Sequence, residues 1–155
     1  YLLLDNMERR YDLHRSGYPL DELNAAVHET VTQIEEATGL SCFDENELYL
    51  TFVLTNGETM VAHQGGKDLL YSTHKTQCPE RDSCPSFSRS CEEPVTDGFV
   101  NHLIFSSESL RGTNVWSSMG DGEVVGVDWR MRFQKFHAGA ELTLEESVSN
   151  RNANR

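Results

Sequence analysis

The 155-residue sequence is poor in positive charge: 13 Lys and Arg stand against 25 Asp and Glu, for a formal net charge of −12. Such a chain repels nucleic-acid backbones and anionic membrane surfaces, so neither is an expected partner. Long hydrophobic runs are also missing, and no stretch approaches the roughly 20 apolar residues that span a bilayer. No basic segment followed by an apolar one opens the chain, so a cytoplasmic location is the expectation. Tyr1 is not Cys, Ser or Thr, which excludes an amine-activated nucleophile at the first residue. Gly65-Gly66 lacks the spacing of a phosphate-cradling loop, and no internal repeat is present. Hydrophobic residues at 37% and charged ones at 25% nevertheless describe a folded chain on the polar side, of a length suited to one domain.

The chain opens on Tyr-Leu-Leu-Leu, an apolar start that chain termini rarely show. Leu4, Met7, Tyr11 and His14 continue it at helical spacing, as if the first residue lay inside a helix. The expectation is a chain that is the later part of a larger polypeptide. A second helix starts with Pro19 in its first turn and with Asp21 and Glu22 complementing the dipole. Leu20, Leu23, Val27, Val31 and Ile34 form its apolar face, and Gly39 ends it. The short Ser16-Gly17-Tyr18 link predicts an antiparallel pair within 1–39.

After Asp44-Glu45-Asn46 the period shortens to two. Residues 48–54, the Asn56-Gly57 turn and 59–63 predict a β-hairpin. Short apolar runs predict further strands at 69–72, 99–105 and 123–129, and the alternation of Arg130, Arg132 and Gln134 with Met131, Phe133 and Phe136 predicts a final strand over 130–136 with one wet face. Residues 75–98 carry three prolines and three cysteines without periodicity, which predicts a long loop. A polar tail, 141–155, follows the domain at 1–140. Helices first and strands after them predict an α+β fold of two helices and about five or six mostly antiparallel strands.

Chemistry-bearing residues are few. His74, Cys78, Cys84 and Cys91 fall on the long loop as His-x3-Cys-x5-Cys-x6-Cys, a set of ligand types that suits zinc but not the Cys-x2-Cys spacing of a zinc knuckle. The alternatives are a disulfide within the loop or reduced thiols without a role, the latter preferred. Cys42 reads as a packed residue. Ser106, Ser107 and Glu108 follow His102 at a strand end. In a strand, His102 and Ser106 are too far apart for a direct hydrogen bond, so hydroxyls that hold the next loop are expected. Asp128, between Val127 and Trp129, is expected to pair with Arg130 or Arg132.

Residues 100–110 (VNHLIFSSESL), Trp116 and the run Gly122-Glu123-Val124-Val125-Gly126-Val127 resemble the closing segment of class II glutamine amidotransferase-like proteins. There a strand ends in Ser-Glu-Pro-Leu, a Trp follows, and a Gly-Glu turn starts the next apolar strand. Ser109 stands here in place of the proline. The resemblance covers most of 1–136 and implies an N-terminal-nucleophile hydrolase fold, an αββα sandwich. It implies that a catalytic Cys precedes Tyr1, that no catalytic residue and no cofactor belong to this chain, and that its partner is the N-terminal catalytic half of the same protein. Asn56-Gly57 is a hairpin turn and takes no oxyanion role. The implied reaction is thiolate attack on a glutamine or γ-glutamyl amide, in the context of thiol metabolism, with oligomerisation possible. The alternative class is a non-enzymatic binding module that uses the cysteine loop for a metal or a partner.

Overall fold

A computed structural model describes residues 1–44 and 48–137. The expectations for the tail 141–155 and for residues 138–140 lie outside the described residues. Two helices, α1 (Leu2–Arg10) and α2 (Leu20–Thr38), precede eight short strands. These are β1 (Phe52–Thr55), β2 (Met60–His63), β3 (Leu70–Ser72), β4 (Gly98–Phe99), β5 (Ile104–Ser106), β6 (Ser117–Ser118), β7 (Val124–Val127) and β8 (Arg132–Phe136). One sheet has the order β1-β2-β7-β8-β4 and the other β5-β3-β6; all pairings are antiparallel. The α+β class holds, with more and shorter strands than the five or six expected.

Alternation along the central strands produces two cores on the two faces of the larger sheet. Val61 and Val124 point to one face, where Met7, Leu20, Leu23, Ala26 and Val27 of the helices bury them. Ala62, Val125, Val127 and Phe133 point to the other and meet Leu69, Leu103, Met119 and Phe105 around the smaller sheet. Tyr71 of β3 lies 5.6 Å from Phe133, centroid to centroid, and links the sheets. The described residues thus form three layers: helices, sheet, sheet.

The helices pair antiparallel, as expected. Asn6 bonds Thr30 and Gln33 of α2, while Arg10 reaches back to Glu29 and Glu22. Asn6 is fully buried, a polar residue inside the helix pair that the apolar stripe did not reveal. The first helix is shorter than the stripe: it stops at Arg10, Tyr11 is extended, and His14 lies beyond it, exposed. Asp5 near its start and Arg9 and Arg10 at its end suit the dipole. Pro19 caps α2 from outside, and Gly39 closes it in the left-handed region, its N–H on the Glu35 carbonyl at 2.8 Å.

Three strand expectations are corrected. The hairpin strand begins at Phe52 instead of 48, because Thr51 replaces the ladder. Its hydroxyl lies 3.1 Å from the Gly65 amide, 3.2 Å from the Lys67 amide and 2.8 Å from the Lys67 carbonyl. Residues 99–105 are not one strand. Gly98–Phe99 pairs with β8 and Ile104–Ser106 with β3, so the chain crosses between sheets and buries Val100 and Leu103 on the way. The two strands expected at 123–129 and 130–136 are both present but shorter, Val124–Val127 and Arg132–Phe136, because a turn at 128–131 takes their adjoining ends; Met131 there adopts φ 60°. The pair β6, two serines, carried no apolar signal.

Gly126 sits where β7 crosses under α2. A Cβ there would lie 2.6 Å from Val61 Cγ1 and 2.7 Å from the Met60 carbonyl oxygen, so only glycine fits.

Candidate functional site

The loop at 75–98 leaves β3 and is pinned at its base. The Lys75 amide donates to the Cys91 carbonyl at 2.8 Å and the Thr76 amide to Thr113 at 2.8 Å. Glu92 draws its middle inward, accepting from the Cys78 amide at 2.7 Å and pairing with Arg81 at 2.8 Å. Residues 89–91 form a single 3-10 turn that buries Cys91.

Cys91 is the most organised of the loop thiols. Asn101, ten residues on and just past β4, aims its amide nitrogen at Cys91 Sγ (2.8 Å), Ser88 Oγ (2.9 Å) and the Ser86 carbonyl (3.1 Å). Bonding from Ser88, then from Asn101, together with the charge of Lys75, outweighs burial and holds the Cys91 thiol below its ordinary pKa. Two histidines share this corner: His74 Nδ1 and His102 Nε2 are both shielded without a hydrogen-bond partner. Burial keeps each below the ordinary histidine pKa, and Lys75 and His74 depress His102 further.

His74, Cys78, Cys84 and Cys91 were candidates for a zinc site, with reduced thiols the preferred reading, and the structure does not gather the four. Among the described residues, no three or more His, Cys, Asp or Glu side chains are grouped as a metal site. Cys78 and Cys84 are half-buried, Cys91 is held by Asn101, and all four cysteines are free thiols. Each turns on a different backbone bond, the Cys84 amide to the Glu80 carbonyl and the Cys91 amide to Ser88. Spacing alone did not show those local turns.

The Ser106 to Trp116 stretch is a closed loop. Ser106 Oγ lies 2.6 Å from the Glu108 carbonyl and accepts from its amide at 3.3 Å, and the Trp116 indole donates to the Leu110 carbonyl at 3.2 Å. Ser106 therefore holds the following loop, as expected, and does not meet His102. The Gly122-Glu123 turn has a comparable internal tie. Glu123, 3% exposed, takes Lys135 at 2.8 Å and His137 at 3.0 Å on one oxygen, and the Gly120 amide on the other. Burial works against the Lys135 ammonium, but the bond to Glu123, the electrostatic pull of the nearby Tyr71 side chain and the Glu123 charge hold its pKa above the ordinary value.

Asp128 is half-buried, and its partners are backbone. Its Oδ1 accepts from the Arg130 amide at 2.8 Å and the Arg132 amide at 2.9 Å, where guanidinium pairing was expected. An aspartate two residues before an amide forms an Asx turn, which requires no charge partner.

Buried polar groups under the helices escaped the sequence reading. His63 is fully buried between Phe52 and His28, with Nδ1 2.7 Å from the Leu50 carbonyl and Nε2 unpartnered. Beside it Cys42 is completely buried, and burial, with bonding to Glu35, pushes its thiol up to about 12. It packs, as expected.

No family model, curated protein or solved structure matches this chain.

Proposed function

We propose that this chain is the C-terminal scaffold half of a class II glutamine amidotransferase-like hydrolase, paired with an N-terminal half of the same protein that carries the nucleophilic Cys. The observation that supports the reading is the layer order, helices over an antiparallel sheet and that sheet stacked on a second antiparallel one, which is compatible with three of the four layers that an αββα sandwich would have. The elements of the resemblance also have physical partners. Ser106 and Trp116 close the loop after the strand, and Glu123 anchors the turn before the next. In the proposed enzyme a thiolate adds to a glutamine or γ-glutamyl amide carbonyl and the tetrahedral intermediate expels ammonia or an amine. Water then hydrolyses the thioester. This chain's contribution is to hold the sheet that such an active site is built upon. No described helix is long and apolar enough to cross a membrane; a cytoplasmic location, work in thiol metabolism and oligomerisation belong to the same proposal.

The test is a longer chain that includes the residues preceding Tyr1. Release of ammonia from glutamine or of amine from a γ-glutamyl amide, abolished by alkylating an N-terminal Cys, is expected. A longer chain with neither that Cys nor either activity would falsify the reading.

The Cys91 corner favours a second reading, a binding module whose partner contact depends on the loop. Under it, Cys91→Ser and Asn101→Ala weaken capture of that partner, while amide hydrolysis by the longer chain is absent.

A further inference from the structure

We propose that Asn56-Gly57, at the tip of the β1–β2 hairpin, is a self-modification site, where the Gly57 backbone nitrogen closes on the Asn56 side-chain amide and converts Asn56 to isoaspartate and aspartate. The turn demands both residues. Gly57 holds φ 90°, which glycine adopts without strain, and Asn56 caps the turn: its Oδ1 accepts from the Glu58 amide at 3.0 Å and from the Thr59 amide at 2.8 Å. The same geometry prepares a reaction. Reaching the amide two residues ahead folds the Asn56 side chain back over the 56–57 peptide, which sets Cγ against the Gly57 nitrogen, the pair of atoms that closes a succinimide ring. As that nitrogen adds, negative charge develops on Oδ1. Both amide donors already lie within the range of about 2.7–3.1 Å at which an oxyanion is stabilised.

The remaining steps are open to solvent. Thr55, Asn56, Gly57 and Glu58 are exposed, and a methyl-sized group placed on Gly57 would meet no atom within 4 Å, so hydroxide and water reach the reacting atoms. The Gly57 N–H donates to Thr55 Oγ1 at 3.1 Å, and that hydroxyl donates to the Thr59 carbonyl at 2.9 Å, which fixes the plane of the attacking peptide. The hydroxyl is donor as well as acceptor and turns its hydrogen onto the nitrogen once the amide proton is gone. Asn56 Nδ2, the leaving group, has no partner among the described residues. A solvent base takes the Gly57 amide proton, the N–Cγ bond forms, the Cγ–Nδ2 bond breaks, and ammonia departs with a proton from water. Water then opens the ring at either carbonyl, with no oxidant or reductant involved. Opening at the Asn56 backbone carbonyl routes the main chain through Cγ. That lengthens the hairpin tip by a methylene, and the amide of Thr59, a residue only 4% exposed, loses its acceptor.

Peptide mapping by mass spectrometry tests it, following each asparagine over time in the native protein and in the chain unfolded by guanidinium chloride, at the same mildly alkaline pH and temperature. Conversion at Asn56 is expected to run about tenfold faster in the native protein than in the unfolded chain, the worth of a preset attack geometry and two placed donors. Thr55→Val, which removes the hydroxyl, should bring the native rate down toward the unfolded one, and Thr55→Ser should retain it. The isoaspartyl form, separated from the parent by its added negative charge, should melt about 2–12 °C lower, because an amide in the turn has lost its acceptor. A native rate equal to or below the unfolded rate, a Thr55→Val rate equal to that of the wild type, or an isoaspartyl form as stable as the parent would overturn the proposal. This release is stoichiometric with the chain and needs no added amide, so it is told apart from turnover of glutamine by the proposed hydrolase, and either can fail without the other.

Discussion

Acidification below pH 6.5 should destabilise this protein through His63. The ring is fully buried, and because Nδ1 faces the Leu50 carbonyl it must carry the hydrogen. Protonation therefore adds a proton at Nε2, which has no acceptor, and a charge between the Phe52 ring and His28. Burial lowers the native pKa from 6.5; the Leu50 bond and Glu35 oppose that, and His28 adds to it. A base with a lowered native pKa leaves the unfolded state holding more protons, so stability is complete above about pH 7.5 and falls as pH drops through 6.5. At pH 5.5 the unfolded chain gains RT ln 11, about 1.4 kcal/mol, which is the ceiling of the His63 contribution there. Urea unfolding at both pH values, for the wild type and for His63→Asn, isolates this share, since other titrating groups cancel between the two proteins. Asn keeps a donor for Leu50 and does not titrate. The stability gap between wild type and variant should shrink from pH 7.5 to 5.5, by at most about 1.4 kcal/mol, a relative midpoint shift of at most about 0.5–1.4 M urea. Parallel pH dependence in the two proteins would refute the argument that His63 is held neutral.

Gly126→Ala places a methyl within 2.6 Å of Val61 and against the Met60 carbonyl, and should cost about 2–3 kcal/mol, lowering Tm by roughly 4–12 °C in a thermal melt. A neutral outcome would mean that β2 and β7 shift apart freely to admit the methyl. Asn6→Ala removes the buried bonds to Thr30 and Gln33 and should cost about 2–3 kcal/mol, read as faster amide exchange throughout α1. Iodoacetamide should leave Cys42 unmodified in the native protein and reach it only after denaturation, because its thiol is buried and pushed up to about 12. Cys91 should alkylate with a pH midpoint below that of a free cysteine, and Asn101→Ala should raise that midpoint; an unchanged profile would remove Asn101 from the thiol's environment.

Local signals were legible where one residue type imposes one geometry. Asn56-Gly57 turned the hairpin, Gly39 stopped α2, and the apolar run in 123–129 predicted the strand β7. The candidate site was less legible. The loop thiols were visible by type, yet their fates diverged because Asn101, Lys75 and Glu92 reach them from other places in the chain. His74 and His102 stood in different segments, and only the crossing between sheets brought them to one corner.

By itself the sequence determined the class of the longer elements, the α+β order and the acidic charge, since these follow from composition and from periods of 3.6 and 2. Only the tertiary structure decided where runs such as 99–105 break, because a strand's length depends on which neighbour completes its hydrogen bonds. It also decided which polar groups are buried. Asn6, His63 and Glu123 look like surface residues in a one-dimensional reading, and their burial depends on partners contributed by segments up to dozens of residues away.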